Sequence, residues 1–528
     1  MSFFVSSKAS RARMREAQNA LRNRAEIVKA RSAGQVSRRD LLKAGVFTAS
    51  GLLVPLHGLS PFVRSAYAAV PTGAPLSPVP RDRPWVSPLL RCHNLTPHPL
   101  TSTGGSDAWL TWPTAMGQAP AMRRANTQTI RHTVNLANAT NTGNVSVQGT
   151  TGPMEGRPPG EAFAHQRWNE LVNSAPGHDG TVSHPLPPVG FLMSVGQIAP
   201  GISYNLADPR WPAQNPANVW TFAEGQFARG NFPPVLLQAR YGESVINRIS
   251  NNLPFFDPQF GSACFPDCAN TTNAGFGRQE PAIHNHNGHN SSCSDGAQNA
   301  HFFPGEYYDY NYSLMLARRD AGLKDSKGRD LDKLIGVKRG DKRASTPTND
   351  GGILPVAGDF REIQNTLWFH DNRISFTSEN VYKGYAALLE YFSGTDRGYE
   401  RPGLSADADK VNLRLPSGWR NGKTWGNRDF DVYLAIQDVA FDASGQLRFD
   451  IFDTNGFLGD VMHVNYQWKP NMDVLPRKYR FRTLSAGMSR WIELAVSDSL
   501  DPKTANAVPI TVICNDGNLF PTFVRNQT

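Results

Sequence analysis

Four of the thirteen histidines fall between residues 284 and 301. The core of that run is Ile283-His284-Asn285-His286-Asn287-Gly288-His289. Side chains alternate along a strand, so His284 and His286 project from one face about two rises apart. Two imidazoles on a rigid strand make half of a site for copper, zinc or iron. An HxH pair by itself also describes surface or hydrogen-bonded histidines, so a second source of ligands matters. Leu367-Trp368-Phe369-His370-Asp371-Asn372 supplies one: an imidazole followed two positions later by an amide, again on one strand face. Asp371 lies between them.

The elements that must hold these residues read as β. The chain carries 46 glycines and 39 prolines, and its apolar runs are short and broken by turns. That pattern favours an all-β, loop-rich architecture over helical bundles or α/β units. Residues 234–249 contain two apolar runs around Tyr241-Gly242-Glu243. Residues 431–440, 446–452, 461–466, 478–484 and 491–496 read as successive strands of a second unit. Residues 135–160 look like solvated loop with little to bury. Residues 323–343, with eight Lys/Arg and four Asp, read as a charged surface insertion. The five cysteines are Cys92, Cys264, Cys268, Cys293 and Cys514. In an oxidising compartment a disulfide among Cys264, Cys268 and Cys293 is expected, with one thiol left over. No CxxC pair occurs, so nothing points to a thiolate zinc site.

The two histidine patches, with their surroundings, resemble the multicopper oxidase family. Ser294-Asp295-Gly296 and Phe302-Phe303-Pro304-Gly305-Glu306-Tyr307 follow the HxH as they do in that family's first copper motif. Trp368-Phe369-His370-Asp371-Asn372, continued by Thr377-Ser378-Glu379-Asn380-Val381-Tyr382-Lys383-Gly384, resembles its second, WxHDH…TxxNVYxG. Tyr241-Gly242-Glu243 with Asn252-Leu253-Pro254 resembles the family's lead-in strand and turn. Gly456-Phe457-Leu458-Gly459-Asp460, residues 476–482 with Ser489-Arg490, and Asn515-Asp516-Gly517-Asn518-Leu519 resemble the second domain of bacterial bilirubin-oxidase-like members. The similarity runs over residues 165–528 in the family's order.

The resemblance implies tandem cupredoxin-like Greek-key β-sandwiches, the second incomplete, behind a loop-rich N-terminal extension. It implies copper as cofactor, with His284 on a type 2 ion, His286 and His370 on a type 3 pair, and Asp371 beside them to orient ligands or relay protons, or simply to make a strand-end hydrogen bond. Its chemistry is one-electron oxidation of a small reducing substrate (phenols, bilirubin, cuprous or manganous ions) coupled to reduction of O2. Two departures bear on this. Asn372 stands where the family has a second type 3 histidine, and an amide oxygen is a weaker copper ligand than imidazole. The family's HxxHxH and HCHxxxH motifs, which supply the type 1 site and the other cluster ligands, have no counterpart; the last histidine is His463. Three of the family's eight cluster histidines are therefore present. The expectation is a truncated oxidase sequence, or one half of a split oxidase whose second chain carries the missing third domain. The alternative is a non-catalytic exported copper-binding or scaffold protein, as in relatives that serve cell division.

Net charge is +9, and residues 1–69 alone, with 12 Lys/Arg and 3 Asp/Glu, account for all of it. A neutral remainder argues against a nucleic-acid binder, which needs uncompensated basic clusters. Ser37-Arg38-Arg39-Asp40-Leu41-Leu42-Lys43, a mildly apolar stretch over 44–63 and Ala66-Tyr67-Ala68 resemble a twin-arginine export signal with its cleavage site. The alternative is a basic amphipathic helix on a cytoplasmic protein; the order of the three features favours export to the periplasm. That route carries folded proteins, often with a cofactor inserted. The apolar stretch is too interrupted by Gly and Pro for a membrane anchor. The expected division is signal peptide 1–69, extension 70–180, first cupredoxin unit 181–400, linker 401–426 and second unit 427–528.

Overall fold

The computed structural model describes residues 76–99, 189–225, 228–254, 276–290, 294–298, 341–356, 364–374, 376–402, 410–419, 422–449, 457–499 and 506–527, with short pieces between them. The export signal, the 135–160 stretch, Cys264, Cys268, Cys293 and most of the charged insertion lie outside the described residues.

In chain order the strands that build and hold the site begin with β1 (Val189–Gln197), β2 (Trp220–Glu224), β3 (Leu237–Arg240) and β4 (Val245–Asn251). They continue with β5 (Ile283–His286), β6 (Glu306–Tyr312), β7 (Leu367–Asp371), helix α1 (Thr377–Lys383) and β8 (Ala386–Phe392). Strands β1, β2, β4 and β6 form one sheet, and β3, β8, β7 and β5, in that order, form a second. Each sheet mixes parallel and antiparallel neighbours: β1 runs parallel to β4, and β8 parallel to β3.

Continuous apolar runs such as that of β8 are buried on both faces, as such runs require. Between the two sheets lies one core in which Phe191, Met193 and Val195 of β1 meet Ile283 of β5, Phe369 of β7 and Leu389 and Tyr391 of β8. Period-two alternation on β6 turns Tyr308, Tyr310 and Tyr312 to that core. Phe222 and Phe369 close it edge to face, ring centroids 4.9 Å apart. This is a β-sandwich of cupredoxin type. The Tyr241-Gly242-Glu243 turn is not a hairpin loop; it is the corner where the chain leaves the second sheet for the first. Gly242 takes the left-handed φ of 80° that the corner needs, and buried Glu243 accepts from Arg240 at 2.5 Å.

A further sheet contains β9 (Asp431–Phe441), β10 (Leu447–Arg448), β11 (Val461–Val464), β12 (Gln467–Trp468) and β13 (Arg480–Ser485). β13 lies parallel to β9, and β14 (Ile510–Asn515) and β15 (Asn518–Gln527) make a separate hairpin. Tyr433, Ala435 and Leu484 of this sheet pack on Ala386 and Leu388 of β8, with Trp368 against the same cluster. A buried charge pair stitches the contact, Arg480 donating to Asp396 at 2.6 Å; within the sheet, Arg482 grips Asp431 through two nitrogens at 2.9 and 2.7 Å. Burial pushes the Asp431 carboxyl up, but Arg482 and Arg480 outweigh it and hold it below the usual carboxylate range.

Four of the five strands expected over 431–496 are present; the fifth is not. Residues 491–496 lie in no strand, and Trp491 is 99% exposed. The alternating side chains are strand-like, but the backbone bond reaching this stretch from another segment runs from the Val508 N–H to the Val496 carbonyl. A strand is stabilised by its neighbours, not by its pattern alone. In the loop-rich extension, residues 76–99 carry a single two-residue strand, His98–Pro99, yet Cys92 and Leu95 are buried. Among the described residues, no helix is long and apolar enough to cross a membrane.

Candidate metal centre

The site is a consequence of register. β5 and β7 are antiparallel neighbours in which His284 is paired with His370, and His286 with Trp368. Because alternation sends Ile283, Asn285, Leu367 and Phe369 to the sandwich core, it sends His284, His286, Trp368 and His370 to the other face. The three imidazoles form a triangle with ring centroids 5.4, 5.5 and 5.6 Å apart. One ring nitrogen from each lies within 4.8 Å of the others. His289 and His301, from the same histidine-rich run, are not part of the triangle.

Each ring is oriented by what its remaining nitrogen touches. His284 Nδ1 faces the Asp295 carbonyl at 2.5 Å and the Asp295 carboxylate at 3.3 Å. His370 Nδ1 faces the Asp371 carbonyl at 2.7 Å. Carbonyls only accept, so both rings carry the proton on Nδ1 and leave Nε2 as an electron-pair donor. His286 Nδ1 stands 3.3 Å from His370 Nε2. These two nitrogens are close enough that both rings would hold the same ion. Trp368 stacks on both, with centroids 4.2 Å from His370 and 4.9 Å from His286.

Electrostatics favour the neutral ring at His370 and at His286. Burial drives the His370 pKa down to about 4, with His284 and His286 adding to the effect against the Asp371 carbonyl. Burial, then His284, lowers His286 as well, while Asp516 works the other way. Neutral imidazole is the form that binds metal, and three imidazole nitrogens are a donor set that fits a late first-row ion such as copper.

Asp371 is fully buried, and its carboxylate meets backbone and amide donors. It accepts from the N–H groups of Ala282 (2.8 Å) and Arg373 (3.1 Å) and from Asn380 Nδ2 (2.9 Å). Burial raises its pKa to about 7 against those three hydrogen bonds. It thus ties β7 to the approach of β5 and to α1, and its carbonyl rather than its carboxylate orients His370. Asn372 lies just past the end of β7 and donates its amide to the Gly296 carbonyl at 3.0 Å.

Two contributors carried no assigned role in the sequence reading: Asp295, which steadies His284, and Trp368, which stacks on two rings. The Ser294-Asp295-Gly296 motif marked the first, and the Trp two positions before His370 marked the second.

No family model matches the chain. Over 162 residues it is 34% identical to bilirubin oxidase of Albifimbria verrucaria, a stretch that is 30% of this chain and 24% of that protein. It is 29% identical over 177 residues to a laccase of Bacillus stratosphericus, covering 31% and 28%. It is 28% identical over 183 residues to the cell division protein FtsP of Escherichia coli (strain K12), covering 34% and 32%. The match therefore spans 24% to 32% of these relatives' lengths.

Proposed function

Because this chain is a cupredoxin-like member of the multicopper-oxidase family, homologous at low identity to bilirubin oxidase, laccases and FtsP, we propose that His284, His286 and His370 hold copper as part of an oxidase centre. The observation that carries this reading is the convergence of three ring nitrogens within 4.8 Å on one sheet face. His284 is assigned to the type 2 position and His286 and His370 to the type 3 pair. Copper, when bound, supplies one-electron transfer from a small reducing substrate toward O2.

The chain's own residues prepare that chemistry. The Asp295 and Asp371 carbonyls fix the Nδ1–H tautomers of His284 and His370. Trp368 stacks on the His286 and His370 rings and packs against the core on that side, which fixes the two rings in place. The Asp295 carboxylate, 3.3 Å from His284 Nδ1, adds a second contact that holds that ring. Three imidazoles are fewer than a trinuclear cluster uses, so the remaining ligands and the type 1 site come from beyond these residues, in this polypeptide or in a second chain. In this reading residues 181–400 and 427–528 are two cupredoxin units joined by 401–426. The Arg38-Arg39 segment directs export to the periplasm.

A second reading, a non-catalytic copper-binding or scaffold protein, draws support from the similarity to FtsP. Copper loading of the purified chain tests both. The oxidase-module reading predicts copper uptake with no blue absorption band and no O2 consumption by the chain alone, and consumption once the complementary part is supplied. The scaffold reading predicts none in either case. A blue band from this chain alone would contradict both.

A further inference from the structure

The turn between β14 and β15 is 229 positions from Asn287, yet it bonds the exit of one histidine strand and the lead-in of the other. At β5, the Asn287 carboxamide donates to the Asp516 carbonyl. At β7, the Gly517 carbonyl accepts the backbone N–H of Gln364 at 3.1 Å and of Asn365 at 3.0 Å. Gly517 has a left-handed φ of 78°, and a Cβ there would collide with Leu367 Cδ2, the side chain that opens β7. Only glycine lets the turn seat this closely. Asn287 directly follows His286 and is itself left-handed, at φ 60°. Since β5 and β7 are antiparallel, the end of one lies beside the beginning of the other, where His286 pairs with Trp368.

The lead-in to β7 is gripped from a second side. Arg480 donates to Asn365 Oδ1 at 3.1 Å, Asn365 Nδ2 donates to Asp396 at 3.1 Å, and Arg482 donates to Thr366 Oγ1 at 2.5 Å. Residues 364–366 are therefore held between two buried arginines of β13 and the carbonyl of Gly517.

We propose that the 515–518 turn is a positioning clamp for the histidine cluster, setting the placement of His286 against His370 through Asn287, Asp516 and Gly517. The consequence for metal binding rests on the reading of the histidines as ligands; the clamp itself does not. Without the turn, Arg480 and Arg482 still hold the lead-in to β7, but the exit of β5 is tied to it by the ladder alone. The exit of β5 is then free to turn, and the 3.3 Å approach of the two ring nitrogens is no longer enforced. Residues that orient ligands without touching the ion typically change metal affinity about 10–100-fold when replaced.

The test uses the full chain and two variants. Asn287→Gly removes the carboxamide while keeping the left-handed backbone accessible; Gly517→Ala wedges the turn off Leu367. In metal-free protein, nitrogen-edited NMR of the imidazoles and hydrogen exchange at Gln364 and Asn365 read the clamp directly. Both variants are expected to shift the ring signals of His286 and His370 and to speed exchange at those two amides, leaving the ring of His463 unmoved. Titration with CuSO4 is then expected to show about a 10–100-fold loss of affinity. Ring signals at wild-type positions in both variants would overturn the proposal. Shifted rings in a protein that takes up no Cu2+ would uphold the clamp and remove the ligand reading instead. If Gly517→Ala fails to fold, Asn287→Gly decides.

Discussion

His284 and His370 face each other across β5 and β7 as a register pair, with ring centroids 5.4 Å apart. A slip of one residue on either strand would turn its imidazoles into the sandwich core. The site is therefore as secure as the register, and Ile283, Leu367 and Phe369, buried between the sheets, secure it.

Asp371→Asn is expected to destabilise the fold by about 1–3 kcal/mol, because an amide offers one oxygen where the carboxylate offers two. Either the Ala282 N–H or the Arg373 and Asn380 donors would then face an NH2 group. Urea unfolding measures the loss; an unchanged midpoint would mean the three hydrogen bonds contribute nothing.

Acid sensitivity should come in part from His463. Buried and neutral, it donates its Nε2–H to Gln437 Oε1 at 3.1 Å and accepts the Tyr466 N–H on Nδ1 at 3.1 Å. Burial lowers its pKa to about 3. Between that value and the unfolded value of 6.5 the unfolded chain binds the proton and the folded chain does not. Its contribution is thus complete above pH about 6.5 and is lost as pH falls toward 3, with a slope of up to about 1.4 kcal/mol per pH unit. His463→Gln should flatten the stability profile across that window, as followed by urea unfolding at several pH values.

How much of this was legible beforehand follows from range. His284 and His286 on one face, and His370 on a strand two motifs away, could be read because alternation is local. The all-β class followed for the same reason, from runs short enough to be strands. The strand expected over 491–496 failed because pattern does not supply a partner. The Tyr241-Gly242-Glu243 corner read as a turn, but which sheets it joins depends on pairings far along the chain. Asn287 with Asp516, and Arg482 with Thr366, are contacts between segments that share no motif, so no local signal marks them.

Asn372→His should raise copper affinity. The present amide is turned to the Gly296 carbonyl, and imidazole is the better copper donor. Isothermal titration with Cu2+ checks this; unchanged uptake would mean that position 372 does not face the metal.

The most direct measurement is equilibrium dialysis against Cu2+ of the wild-type chain and of a variant combining His284→Ala, His286→Ala and His370→Ala, each confirmed folded by circular dichroism. The account predicts that the wild type retains copper with nitrogen coupling in its electron paramagnetic resonance spectrum and that the variant retains none at the same free concentration. Equal retention by the two proteins would contradict it.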